Sequence, residues 1–239
     1  MKIEKTILSR EFWKKFFSIF TDDALGDQIE SKFEEMLILG QDMYAHVTSV
    51  ILDPDANTLE NIRDTFFLTD QRINELEQQI RRDVLVHLSV AGSQSKDVTS
   101  YLMLLNQVKD AERLGDYTKN IFEVFEYGAD VLSDEYLEIF SRHRIQTNSI
   151  FSDVKTAINM FDGKLGKKAC TEATAMIKEC SEVINAMMAD PNKVENPVAI
   201  ALLFRYQKRM LSHLRKIATS QFAPFDKMGT CGKEDTNNL

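Results

Sequence analysis

The chain has 239 residues, 44% of them hydrophobic and 28% charged, the balance of an ordinary soluble globular protein of one large domain or two small ones. Disordered, collagen-like and cysteine-stapled classes are excluded. Against 29 basic residues stand 37 acidic ones, a net charge of −8, so no nucleic-acid partner is expected, because phosphate contacts dominate that affinity.

The chain contains only 4 Pro and 9 Gly, and none of them falls between Pro54 and Gly92, which suits long helices and argues against a turn-rich β-sandwich. An all-α fold is expected. Cys170, Cys180 and Cys231 form no CxxC pair and have no histidines at zinc-finger spacing, so they read as reduced thiols of a cytosolic protein. No stretch of about 18 consecutive apolar residues occurs, and the N-terminus lacks the short apolar core and small-residue cleavage site of a secretory signal. A cytoplasmic location is the expectation, with peripheral contact at the inner face of the membrane as an extension of it.

In chain order, residues 1–21 stand apart as an N-terminal amphipathic helix. Ile7, Leu8, Phe12, Trp13, Phe16, Phe17, Ile19 and Phe20 crowd together beside Lys14 and Lys15. Phe12, Trp13, Phe16 and Phe17 are the residues expected to contact a membrane surface or partner, or else to cap the bundle or a dimer interface. Asp22 and Asp23 weaken the membrane reading. Residues 22–130 and 131–220 each read as three long helices, separated by breakers at Asp53-Pro54-Asp55, Gly92-Ser93, Gly128 to Ser133, Asp162-Gly163 and Asp190-Pro191.

The first core helix shows Ile29, Phe33, Met36, Met43, Val47 and Val50 in the 3-4 alternation of an antiparallel bundle seam. The second, starting near Asn57, repeats it through Ile62, Phe66, Ile73, Leu76 and Ile80. Asp97 is the expected N-cap of the third helix. Ser133, followed by Asp134 and Glu135, starts the fourth with a cap and negative charge at the dipole's positive end. Met103, Met160, Met176, Met187 and Met188 read as core filler. Residues 221–239, with Pro224, Gly229 and Gly232, read as a loosely held tail. The predicted architecture is two tandem three-helix bundles of six long antiparallel helices, plus the N-terminal helix.

The chemistry concentrates on two stretches. At about 100° per residue, Glu112 and Asp116 point within about 40° of each other, toward the apolar face marked by Leu105. Burying carboxylates costs several kcal/mol unless they are paired, hydrogen-bonded or bound to a cation. Gly115 between them, at a cost of about 1 kcal/mol in mid-helix, implies a close approach there. On the preceding helix Asp70, Asn74 and Glu77 share a sector about 60° wide. An oxygen-only set of this kind favours hard cations such as Mg²⁺ or Mn²⁺, or carboxylate-bridged iron, over a thiolate zinc site. The plainer reading is a pair of solvated helix faces with Glu112 paired to a lysine or arginine.

The run Glu112-Arg-Leu-Gly-Asp116-Tyr-Thr-Lys-Asn120-Ile121 resembles the Glu-Arg-Ile-Gly-Asp-x-x-x-Asn-Ile signature of the PhoU phosphate-transport regulator family, departing only at Leu114. Asp70-x-x-x-Asn74-x-x-Glu77 resembles the family's companion motif. The resemblance implies two tandem three-helix bundles, each able to hold a multinuclear metal cluster. It assigns the ligands here to Asp70, Glu77, Glu112 and Asp116, with Asn74 in the companion motif. The metal implied is divalent or trivalent: iron, manganese, magnesium or zinc. In the second repeat the corresponding positions read Lys208-Arg209-Met210-Leu211-Ser212-His213, so that repeat is degenerate and a single metal site is expected.

Arg205, Lys208, Arg209, His213, Arg215 and Lys216 instead make that helix basic. This reads plainly as a solvated face paired with the chain's many acids, and otherwise as a surface for an anion or acidic partner. His46, His87, His143 and His213 are scattered, and no nucleophile, base and orienting group line up as a triad.

The function implied by the resemblance is a non-enzymatic regulator of phosphate uptake and phosphate signalling. It would act through metal-dependent contacts with a membrane phosphate transporter or a sensor kinase, and a homodimer is favoured slightly over a monomer. The competing readings are a carboxylate-bridged metal-dependent hydrolase or oxidase, which lacks the expected Glu-x-x-His, and a metal-free helical dimerisation module.

Overall fold

The computed structural model describes residues 24–52, 59–91, 98–126, 132–192, 194–223 and 227–229. Among these every regular element is helical: α1 (Ala24–Leu52), α2 (Leu59–Ala91), α3 (Val98–Glu126), α4 (Asp134–Asn159), α5 (Gly163–Ala189) and α6 (Pro197–Thr219). The N-terminal segment with Phe12, Trp13, Phe16 and Phe17, the Asp97 cap, Cys231 and most of the tail lie outside the described residues.

The seams read from periodicity are the ones that bury. Ile29, Phe33, Met36, Met43, Val47 and Val50 on α1, and Phe66, Ile73, Leu76 and Ile80 on α2, are all buried. Helix ends follow local chemistry in one case and depart from it in another. Asp162 accepts from the backbone N–H groups of Lys164 and Leu165 at 2.9 and 3.1 Å, a side-chain cap that starts α5. Ser133 occupies the N-cap of α4 in extended backbone but makes no side-chain cap bond, so Asp134 and Glu135 carry the favourable charge there.

Within each repeat neighbouring helices run antiparallel. Lys32–Asp83 (2.6 Å) and Arg72–Glu35 (2.8 Å) join α1 to α2. Arg63–Glu126 (3.0 Å), Asp70–Lys119 (3.2 Å) and Glu77–Lys109 (3.5 Å) set the α2–α3 register. Lys168–Asp153 (2.7 Å) and Arg142–Glu179 (2.9 Å) join α4 to α5. A Cβ on Gly166 of α5 would lie 3.0 Å from the Ala218 carbonyl oxygen, so glycine permits the tight approach of α5 to the end of α6.

Between repeats, like meets like. The first helices pair through Gln41 Nε2 donating to Asn148 O (3.1 Å) and Asn159 Nδ2 to Glu34 (2.8 Å). The third helices pair through Asp110–His213 (2.6 Å) and Thr118–Met210 (3.7 Å). One hydrophobic core therefore runs through both repeats.

At its centre lies a buried polar chain. The Tyr44 hydroxyl donates to Gln207 Oε1 at 3.1 Å, and Gln207 Nε2 donates to Thr147 Oγ1 at 2.8 Å, linking α1, α6 and α4. All three side chains are fully buried, so each needs its partner.

Two expectations are corrected here. Met103, Met176 and Met187 are buried, but Met160 and Met188 are 72% and 69% exposed. Met160 follows the last residue of α4, and Met188 sits one residue, about 100°, round from buried Met187. The cysteines are not uniformly reduced thiols: Cys180 is free and buried, whereas Cys170 is disulfide-bonded. No described helix is long and apolar enough to cross a membrane.

Replacing Tyr44 by Phe strips Gln207 Oε1 of its donor, a loss of about 1–3 kcal/mol for a buried group. Thermal unfolding followed by circular dichroism should show Tyr44→Phe with a midpoint lower by several degrees, at about 2–4 °C per kcal/mol for a chain of this size.

Candidate functional site

The α2–α3 register brings the two acidic motifs face to face. Glu77 and Glu112 are buried, at 9% and 8% exposure, while Asp70, Asn74 and Asp116 are half-buried on the same seam. Carboxylates do stand where core residues belong, as the spacing predicts. Gly115 makes room for them: a Cβ there would meet Ile73 Cδ1 at 3.3 Å and Asp70 Oδ1 at 3.7 Å.

The charge is balanced by cations from α2 and α3. Lys109 Nζ lies 2.7 Å from Glu112 and 3.5 Å from Glu77, and Arg81 lies 2.9 Å from Glu77. Arg113 reaches Asp116 at 2.6 Å and Glu112 at 3.7 Å. Lys119 bridges Asp70 at 3.2 Å and Asp116 at 3.6 Å. The pairing of Glu112 with a basic residue is thus realised, and among the described residues no three acidic, histidine or cysteine ligands converge as a preformed metal cage.

Two carboxylate oxygens are nonetheless left short. Glu77 Oε1 and Glu112 Oε2 are buried and are met by ion contacts rather than by well-formed hydrogen bonds, Arg81 at 2.9 Å from Glu77 and Lys109 at 2.7 Å from Glu112. Burial pushes the Glu112 carboxyl above its ordinary range, with Lys109 pulling it down and Asp116 and Glu77 pushing it further up. Lys119 loses some basicity to desolvation, but Asp70 and Asp116 outweigh this and hold its ammonium above the ordinary value.

An all-oxygen donor set with two under-satisfied buried oxygens has the chemistry of a hard-cation site. In this structure those oxygens are taken by cations, Asp70 by Lys119, Glu77 by Arg81, Glu112 by Lys109 and Asp116 by Arg113.

A second constellation could not be seen in the sequence, because its members come from different helices. His143 Nε2 lies 2.9 Å from Glu179 and its Nδ1 lies 3.7 Å from Cys180 Sγ, putting a buried thiol and imidazole in line with a partly exposed carboxylate. Its electrostatics are those of packing. Burial pushes the Cys180 thiol up to about 12, so no thiolate nucleophile forms near neutral pH. Desolvation lowers the His143 value, and the His143 hydrogen bond holds Glu179 below the ordinary carboxylate range.

The basic residues of α6 divide by direction. His213 and Lys216 meet Asp110 of α3 at 2.6 and 3.4 Å, and His213 stacks on Tyr117 at 5.5 Å. Arg209 lies over the Tyr117 ring and donates to its hydroxyl at 3.2 Å. Arg205, Lys208 and Arg215 make no ion pair among the described residues.

The family model of the PhoU domain matches residues 33–125, which contain both acidic motifs. The first repeat is PhoU-like. A phosphate-specific transport system accessory protein PhoU homolog of Xylella fastidiosa is 28% identical over 98 residues, covering 41% of this chain and 41% of that relative. The chain thus matches about two-fifths of that relative's length.

The fold likeness reaches further. PhoU from Pseudomonas aeruginosa superposes with a TM-score of 0.69 at 20% identity, over 83% of this chain and 95% of that one. The phosphate transport system regulatory protein PhoU from Streptococcus pneumoniae gives 0.64 at 16% identity, over 82% and 94%. The PhoU-like fold therefore spans both repeats.

The raised Glu112 value has a stability consequence. A carboxyl raised on folding contributes stability that is present below its unfolded value of 4.5 and lost as pH rises through the folded value. In chelator, Glu112→Gln should raise the unfolding midpoint at pH 7, with the advantage vanishing toward pH 4. Paired thermal scans at the two pH values check this.

Proposed function

We propose that the chain is a regulator of phosphate uptake and phosphate signalling that works by contact rather than turnover, docking on a membrane phosphate transporter or a sensor kinase. The observation that carries the reading is the pair of carboxylate motifs facing each other across α2 and α3 inside a PhoU-like repeat, with Glu77 and Glu112 buried and incompletely hydrogen-bonded. The names of the related proteins supply the word phosphate: an accessory protein of phosphate-specific transport in Xylella and a regulatory protein of phosphate transport in Streptococcus.

Asp70, Glu77, Glu112 and Asp116 would hold a divalent or trivalent cation, iron, manganese, magnesium or zinc, with Asn74 on the same seam. When bound, such an ion supplies concentrated positive charge and a coordination point for a partner's oxygen ligands. The chain's own part is to fix the four carboxylates on two rigid helices and to keep Gly115 small so that the helices close. Without the ion, Lys109, Arg113 and Lys119 neutralise the groove internally and turn the carboxylates away from a partner.

The test is elemental analysis of the purified chain beside Glu112→Ala/Asp116→Ala, with unfolding midpoints before and after chelation. The native chain should carry near-stoichiometric metal and lose several degrees in chelator, while the variant carries none and does not respond. In cells, the same double substitution should release phosphate uptake from control when phosphate is abundant. Metal-free native protein after reloading would leave the ion pairs as the resting state of the groove and overturn the metal-dependent reading.

A further inference from the structure

The outer face of the second repeat inverts the chemistry of the first. Arg205, Lys208, Ser212 and Arg215 fall at i, i+3, i+7 and i+10 on α6, a stripe about 80° wide and about 15 Å long. Lys208 and Ser212 are the positions that correspond to Glu112 and Asp116. The stripe borders α5, since Lys208 is close enough to Cys180 to act on its thiol electrostatically, and Gly166 touches the end of α6.

On α5 the same edge continues through Thr174, Ile177 and Ser181, none of them acidic. The acids of α5 are engaged elsewhere: Glu179 by Arg142 and His143, Glu172 by Lys168 at 3.8 Å, and Glu182 by Lys178 at 3.8 Å. Asp110 of α3, which meets α6, is taken by His213 and Lys216.

Three cations thus share one face of an acidic chain with no carboxylate against them among the described residues. Arg215 adds a second, independent signal. Its Nε is buried and has no hydrogen-bond partner, a donor held out of water with nothing to receive it. A guanidinium fork and an ammonium on one helix face are suited to the tetrahedral oxygens of a phosphate group, while the Ser212 hydroxyl between them donates to the Lys208 carbonyl at 2.8 Å.

We propose that this face of α5 and α6 is an oxyanion site for phosphate, with Lys208 and Arg215 as its charge and Arg205 extending it along the helix. The phosphate comes either as the free inorganic ion or as a phosphorylated side chain on a partner protein. The site does not depend on whether the α2–α3 groove holds a cation.

The experiment uses the full chain, stripped with chelator so that no bound metal can capture phosphate. It is titrated calorimetrically at low ionic strength with inorganic phosphate, with a phosphoserine peptide, and with chloride as the ionic control. Lys208→Met and Arg215→Met remove the two charges while keeping side-chain bulk, and Lys208 is half-exposed, so its variant tests binding without loss of the fold. Binding of inorganic phosphate that weakens at least about tenfold in each variant supports the free ion as the source. Binding of the phosphopeptide alone, with the same dependence on both residues, supports the partner-borne phosphate. If neither phosphate source binds at millimolar concentration, or if binding survives in both variants or is matched by chloride, the proposal is overturned.

Discussion

The contact between like helices of the two repeats is the constraint on which the rest of the structure depends, and Tyr44, Gln207 and Thr147 define it. Apolar packing alone would let two three-helix units slide past one another at little cost. A fully buried amide that must satisfy a phenol on one side and a hydroxyl on the other admits one register. With α1 fixed on α4 and α3 on α6, the flanking helices α2 and α5 are left to supply the outer faces, and those faces are where the chemistry differs between the repeats.

The two faces show what one scaffold can do with opposite charge. In the first repeat, acids are placed at the seam and covered by long basic side chains. In the second, the corresponding positions are Lys208 and Ser212, and the acids of α5 turn toward α4 and their own helix. Gly115, which permits close approach at the acidic seam, is matched by Leu211, which is wholly buried. One repeat therefore brings two helices close around ion-paired carboxylates. The other fills that space with hydrocarbon and puts its charge outside.

Much of this was legible in the sequence because it rests on period. A seam of Ile, Phe, Met and Val at helical spacing has one way to bury, and Pro and Gly in short clusters end helices wherever they occur. The acidic motifs were legible for the same reason: Glu112 and Asp116 share the apolar face, where Glu112 is buried and Asp116 half-buried. What escaped depends on who meets whom.

Lys109 neutralises both Glu77 and Glu112 from a position that helical spacing alone marks only as an edge. His143, Glu179 and Cys180 come together because α4 crosses α5 at one height. The disulfide at Cys170 is a pairing that spacing does not announce. Met188 is exposed although Met187 is buried, because one residue is enough to turn a side chain from core to water near a helix end.

The two-sidedness of α3 carries a consequence of its own. Asp110 and Glu112 are two residues apart, about 200° round the helix, so one faces the seam with α6 and the other the groove with α2. α3 thus carries an ion-paired carboxylate on each side, Asp110 tied to the other repeat through His213 and Lys216 and Glu112 tied to its own groove through Lys109. One helix is the shared wall of both contacts.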